Sequence, residues 1–313
     1  MNTLRLHLEK YLQLRRRLGF TLRLAGGHLR KFVRFAQRQR TSVITTQLAL
    51  RWATQPADCQ PSQWANRLGM VRRFAQYLSA VDPRTEIPPP KLLPHRYRRK
   101  EPYIYRDEEV VRLIEAARQL DSPRGLRGAT ASTLFGLLAV TGMRVGEAIG
   151  LDRKDVDLTQ MLLTVRHTKG HKVRLVPLHP STGKVLRHYA RLRERICLHP
   201  QSPSFFLSER GARLQDCTVR AWFITISYQI GLRLPTAHRG PRLHDLRHRF
   251  AIETLRRWYR TDQDVETHMP ELATYLGHGH VADTYWYLSA TPGLLCLAAQ
   301  RWERECKKGS VLP

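Results

Sequence analysis

Residues 82–102 read DPRTEIPPPKLLPHRYRRKEP. No regular helix or central strand crosses such a stretch, because each proline lacks a backbone donor and has a fixed φ. The segment therefore divides the 313-residue chain. We expect a first domain over 1–82, a spacer over 83–102 and a second domain over 103–313. The spacer should be extended and semi-rigid. Its six Lys and Arg suit a path along a phosphate backbone.

The hydrophobic pattern differs on the two sides. Before the break it is helical. In LRLHLEKYLQLRRRLGF, Leu4, Leu8, Tyr11, Leu12 and Leu18 fall on one face. HLRKFVRFAQRQR repeats this with Leu29, Phe32, Val33 and Phe35. TTQLALRWATQ and SQWANRLGMVRRFAQYLSAV give two more helices; in the last, Trp64, Leu68, Val71, Phe74, Ala75 and Leu78 form the stripe and Arg67, Arg72 and Arg73 lie outside it. Four short amphipathic helices with basic outer faces make a bundle. After the break, RDEEVVRLIEAARQL opens a helix with Asp107 as N-cap and acids in the first turn. ATASTLFGLLAVTGMRVGEAIGL is apolar enough to be buried. MLLTVRHTKGHKVRLVPL places β-branched runs on both sides of a polar tip and reads as a hairpin. Helices return from Thr182 to the end. The fold class is mainly α with a small β-sheet or hairpin (α+β), in two domains.

The chain carries 53 Lys and Arg against 26 Asp and Glu, a net charge of +27. Residues 1–100 hold 21 of the basic residues and 4 of the acidic ones. An excess of this size points to a polyanion, and double-stranded DNA is the expected partner. Five cysteines without a CxxC pair argue against a disulfide framework and a zinc site. The N-terminal twenty residues contain no uninterrupted apolar run, which excludes a signal peptide or membrane span there. We expect a reduced, cytoplasmic, nucleoid-associated protein.

Cutting a phosphodiester needs a nucleophile, charge stabilisation on the non-bridging oxygens and a proton for the leaving oxygen. Metal-dependent enzymes use clustered carboxylates, and this sequence offers no convincing cluster. A metal-free route would use arginine clamps, a Lys or His acid and a covalent side-chain nucleophile. The second domain has these parts. Arg144 follows the end of an apolar helix in TGMRVGEAIGL, where a buried ion pair with Glu147 is the structural alternative. Lys169 stands at the hairpin tip, with Lys172 as competitor. His244 and Arg247 in HDLRH are three apart, on one face of a helix start. In PELATYLGH the helix ends at Gly277 as C′, with His278 just beyond. Tyr285 and Tyr287 follow; two apart on a helix, they point in opposite directions, and spacing alone leaves the choice between them open.

The ordered set Arg144, Lys169, His244, Arg247, His278 and a following tyrosine resembles the tyrosine recombinase (integrase) family. TGMRVGEAIGL resembles that family's first arginine box, TKGHKVRLVPL its β-hairpin lysine box and HDLRH its His-x-x-Arg box. LGH with a tyrosine nine residues on resembles the last, and that residue is Tyr287. Tyr285 and Trp286 then become packing residues. Glu147 sits at a variable position of its box, and His280 in GHGH could compete with His278. The resemblance covers 103–290. It implies that 1–82 is a helical, SAM-like core-binding domain that clamps duplex DNA opposite the catalytic domain, with no further arm-binding domain before it. DTYWYLSATPGLLCLAAQRW is similar to recombinases carried by transposons, some encoded beside sister recombinases.

The resemblance also implies a mechanism. Four copies of the chain hold two DNA sites. Tyr287 attacks a phosphodiester to give a 3′-phosphotyrosyl link, Arg144 and Arg247 stabilise the phosphate, and Lys169 protonates the leaving oxygen. His244 and His278 position groups and assist proton transfer. No ATP, cofactor or divalent metal is required. The expected role is integration or excision of a mobile element, with dimer resolution or a catalytically silent accessory protein as alternatives. The C-terminal helix is expected to dock on a neighbouring protomer.

Overall fold

The computed structural model describes residues 3–94, 101–166, 173–236, 240–289 and 292–309. The chain forms two compact units, 1–100 and 101–313. The first is a bundle of helices α1 (Thr3–Arg17), α2 (Arg23–Arg38), α3 (Thr46–Thr54) and α4 (Pro61–Leu78). Its core takes most of the expected stripes, with Phe35 only partly buried against it and Trp64 outside it: Leu4, Leu8, Tyr11 and Leu12 meet Leu29, Phe32 and Val33, then Trp52, Leu68, Val71, Phe74 and Leu78. Thr45 caps α3 by accepting from the Leu48 N–H at 3.2 Å, and Pro61 opens α4 where no donor is needed.

Three further details of the first unit depart from expectation. Leu18 lies beyond the end of α1 and is exposed. Arg67 is not on an outer face. Its guanidinium lies 3.9 Å over the Trp52 ring and donates to the Trp52 carbonyl at 2.7 Å, so the long side chain packs while its head is paired. The proline-rich stretch begins inside the unit rather than as a free spacer. Glu86 N–H donates to Ile44 O, the Glu86 carboxylate accepts from Thr46 N–H, both at 2.8 Å, and Thr85 is buried.

The second unit starts with α5 (Asp107–Arg118) and the buried α6 (Leu126–Thr141). The N-cap of α5 is Arg106, not Asp107. Glu109 accepts from the Arg106 N–H at 2.8 Å, and Asp107 joins the acidic first turn. A short helix α7 (Val145–Gly150) leads to the sheet β1 (Val156–Asp157), β2 (Leu162–Val165) and β3 (Arg174–Pro177), antiparallel in that order. Val165 pairs with Arg174 and Leu163 with Val176, which establishes the hairpin. Helices α8 (Pro180–Ile196), α9 (Asp216–Gln229), α10 (Asp245–Arg260), α11 (Val265–Leu276), α12 (Ala282–Ser289) and α13 (Pro292–Gly309) follow.

Two cores hold this unit. The larger gathers α5, α6, the sheet, α8 and α9. The smaller joins Ala251, Ile252 and Leu255 of α10 to Met269, Leu272 and Leu276 of α11, with Tyr287 and Leu294. Leu294 is fully buried there, so α13 packs on its own chain. Among the described residues no helix is long and apolar enough to cross a membrane.

Phe74 is fully buried and its ring centroid lies 5.4 Å from that of Tyr11. Phe74→Ala should cost about 3–5 kcal/mol, read as a lower urea midpoint for the first unit. An unchanged midpoint would contradict this packing.

Candidate active site

The site is built on the end of α11. Gly277 takes a left-handed conformation, φ +69°, at C′. Its N–H donates to Thr274 O and the next N–H, of His278, to Ala273 O, both at 2.9 Å. This double closure satisfies two of the carbonyls that a helix end leaves without partners. The following three go to arginines. Arg174 Nε donates to Tyr275 O at 3.0 Å, Arg247 Nη2 to Leu276 O at 2.6 Å, and Arg144 Nη2 to Gly277 O at 3.3 Å. The negative end of the helix dipole faces all three cations.

Arg247 comes from the first turn of α10 and is 2% exposed. Its Nη1 also donates to Gly142 O at 2.9 Å. Gly142 ends α6 with φ +61°, and a Cβ there would stand 2.6 Å from the Phe250 ring. Only glycine lets the end of α6 approach α10 this closely. Burial, then the Arg144 charge, lowers Arg247 to about 10, with the Tyr287 phenol among the groups that act in the other direction. It remains a cation at neutral pH.

Arg144 is the N-cap residue of α7, and its side chain is 39% exposed. Glu147 binds it twice: Oε2 accepts from the Arg144 N–H at 2.9 Å and Oε1 from Nη1 at 2.8 Å. The ion pair is therefore present, and it leaves part of the guanidinium open. Arg174, which the motif reading passed over, binds the same carboxylate through Nη1 and Nη2 at 3.0 and 2.7 Å. Strand alternation carried the signal: Arg174 shares a face with the buried Val176.

His244 precedes α10, and its ring packs edge-on against His248 with centroids 4.8 Å apart. Surrounding protein, followed by the positive charge of Arg247, lowers His244 to about 4. With its value held well below 7, the ring is neutral at pH 7. His278 bonds through Nδ1 to the buried Thr284 Oγ1 at 2.7 Å, and its ring lies 6.2 Å from that of Tyr287.

The two tyrosines separate as helical geometry requires. Tyr287 is 2% exposed, with its ring also 5.5 Å from His248. Tyr285 is 44% exposed, so it is a surface residue and not the packing residue expected. His280 is exposed as well. The structure thus brings Arg144, His244, Arg247, His278 and Tyr287 into one region of the second unit. Lys169 and Lys172 lie outside the described residues; the strands flanking them are paired as expected. His248, Thr284 and Arg174 belong to the same cluster and had not been singled out.

A cleft of about 470 Å³ adjoins the cluster. It is lined by Arg144, Arg220, Arg233, Arg242 and His244, with Phe223 on its apolar side. Such a wall suits a phosphate chain. A larger cleft, about 890 Å³, is lined by Val140, Phe250, Trp258 and Tyr275 and by none of the expected site residues. In the first unit, Lys31, Arg34, Arg38 and Arg67 surround Trp52 in a separate basic cleft. Among the described residues no His, Cys, Asp and Glu are grouped to hold a metal ion.

The phage integrase family matches residues 104–293, well over half of the chain. The chain belongs to that family. The Sinorhizobium fredii protein y4rB, which carries an integrase/recombinase name, is 48% identical over 97% of this chain and 98% of its own length. A tyrosine recombinase XerD of Neisseria meningitidis is 31% identical over 72% of this chain and 75% of its own. The solved Tn1549 transposon integrase shares the fold, with a TM-score of 0.66 at 14% identity, covering 97% of this chain and all of that one. The enzyme class is that of the site-specific tyrosine recombinases.

Glu147 generates a pH prediction. Burial acts to raise its carboxyl, but the Arg174 guanidinium and the Arg144 N–H and side chain outweigh this and hold it at about 2, against an ordinary 4.5. A depressed folded-state value stabilises above the unfolded one and loses that contribution as pH falls from 4.5 toward 2. The full contribution is about 3 kcal/mol. The stability gap between wild type and Glu147→Gln, from urea unfolding, should be constant above about pH 5 and narrow below it. A gap that does not change with pH would contradict the pairing.

Proposed function

We propose that this protein cuts and rejoins double-stranded DNA at specific sites with Tyr287 as nucleophile, in the integration or excision of a mobile element. The observation that carries the assignment is the burial of Tyr287 between His248 and His278, near enough to Arg247 to act on its charge, while Tyr285 faces solvent. The Tyr287 oxygen attacks phosphorus and the bond to the 5′-oxygen breaks. The products are a 3′-phosphotyrosyl ester and a free 5′-hydroxyl. Attack by another 5′-hydroxyl on the ester restores a phosphodiester and frees the tyrosine. The ester conserves the bond energy, so the cycle needs no ATP, and arginines take the charge-stabilising role a divalent metal would otherwise fill.

Arg144 and Arg247 offer N–H donors to the non-bridging oxygens, where charge builds in the transition state. The Arg247 guanidinium has five donors, and its two backbone bonds occupy only part of them. His244, neutral at pH 7, serves as a hydrogen-bond partner rather than a charge. His278 is oriented by Thr284. Lys169 is assigned as the acid for the 5′-oxygen on the resemblance of its hairpin. The first unit is assigned as the core-binding domain, supported by its basic surface and the Trp52 cleft. Recombination by four copies of the chain, alone or with sister recombinases, follows from the same resemblance, as does the mobile-element role.

The test is covalent trapping in EDTA. Nicked duplexes from DNA flanking the protein's own gene are mixed with wild type, Tyr285→Phe and Tyr287→Phe. An SDS-resistant adduct should form with the first two and vanish with Tyr287→Phe. An adduct that persists in Tyr287→Phe, or that requires a divalent metal, would overturn the proposal.

A further inference from the structure

We propose that Arg174 is a positioning residue of the strand-cleavage site, acting through Glu147 and the end of α11 to keep Arg144 free for the scissile phosphate. The inference rests on the assignment of Arg144 above. It starts from the fact that Arg174 is the first residue of β3, yet its side chain is only 10% exposed. All three of its side-chain nitrogens are engaged. Nη1 and Nη2 hold the two oxygens of Glu147 at 3.0 and 2.7 Å, and Nε holds Tyr275 O at 3.0 Å. A guanidinium so occupied has little left for a phosphate.

Its effect on Arg144 follows from charge. Glu147 is a buried carboxylate, and burying one without a partner is costly. Two arginines reach it, but unequally. Arg174 takes both oxygens in the fork geometry that makes the strongest pairs, and Arg144 takes one with a single Nη. The Arg174–Glu147 pair is neutral as a unit. The charge of Arg144 is then the surplus, and its guanidinium is also the half-exposed one. Remove Arg174 and Glu147 is left to the N–H and guanidinium of Arg144; the cation would be consumed by its own carboxylate.

Geometry adds a second link. Arg174 bridges β3, α7 and the last turn of α11, and the same turn binds Arg144 through Gly277 O. A Cβ on Gly277 would stand 2.9 Å from Arg174 Nη1. The arginine therefore fills the space that the glycine leaves, and it holds the Tyr275 carbonyl two residues before the Gly277 carbonyl that binds Arg144.

A neutral substrate tests this directly. The scissile position, once mapped by covalent trapping, is made in a nicked duplex either as the phosphodiester or as a methylphosphonate, in which a methyl replaces a charged non-bridging oxygen. An arginine whose task is that charge loses its value on the neutral linkage. On the phosphodiester, Arg174→Gln should cleave about 10- to 100-fold more slowly than wild type, the scale of a displaced catalytic group. On the methylphosphonate it should come within about threefold of wild type, as should Arg144→Ala, because there is no charge left to stabilise. Arg174→Lys, which keeps the charge but not the fork, should fall between, and it carries the comparison if Arg174→Gln does not fold. Equal slowing of the Arg174 variants on both linkages, with Arg144→Ala relieved, would overturn the proposal and leave the assignment of Arg144 standing. If Arg144→Ala itself gains nothing on the methylphosphonate, the assignment fails, and the proposal with it.

Discussion

Three successive carbonyls at the end of one helix, Tyr275, Leu276 and Gly277, each accept from a different arginine. The site depends on this. Helix ends leave their last carbonyls without intrahelical partners, and here those groups become the seat for the side chains that would meet a phosphate. Gathering Arg144, Arg174 and Arg247 in one place costs mutual repulsion. The helix dipole, the Gly142 carbonyl and the Glu147 carboxylate offset it. The cations are held in place by the fold before any DNA arrives, which is the arrangement that makes electrostatic stabilisation effective.

The same helix end also places the remaining parts. The chain leaves α11 through Gly277, and the next residue is His278; α12, with Tyr287, begins four residues later. The Thr284 hydroxyl joins α12 back to His278. The apolar face of α11 packs with α10, which carries Arg247 and His248, and with Tyr287 and Leu294. One small core therefore fixes the arginines and the tyrosine relative to each other, and the two glycines at helix ends permit the close approaches that this requires.

Much of this was legible in the sequence because it depends on local rules. Helical stripes gave the first bundle, β-branched runs around a polar tip gave the hairpin, and Gly277 marked the end of α11. Two-residue spacing separated Tyr285 from Tyr287, although only the family resemblance, and then burial, said which one faces inward. What escaped depends on contacts distant in sequence. Arg174 meets Glu147 across 27 residues and Tyr275 across 101. Arg67 leaves the outer face because Trp52, on another helix, offers both a ring and a carbonyl. The cap of α5 fell on Arg106 because a backbone N–H, and not a capping side chain, was what Glu109 needed. Periodicity predicts which face is apolar; it says nothing about which polar groups find each other.

The central claim is that the arginines are fixed in the DNA-free protein. Nitrogen-15 NMR of the arginine side chains measures this directly, with Arg144, Arg174 and Arg247 assigned by single substitutions. Without DNA, Arg174 and Arg247 should show resolved Nη signals, shifted from those of exposed arginines and slow in rotation about the Cζ–Nη bonds. Those signals should persist when DNA is added, with new shifts centred on Arg144. Averaged, solvent-like signals from Arg174 and Arg247 in the free protein would show that the cluster forms only on binding, and would contradict the account.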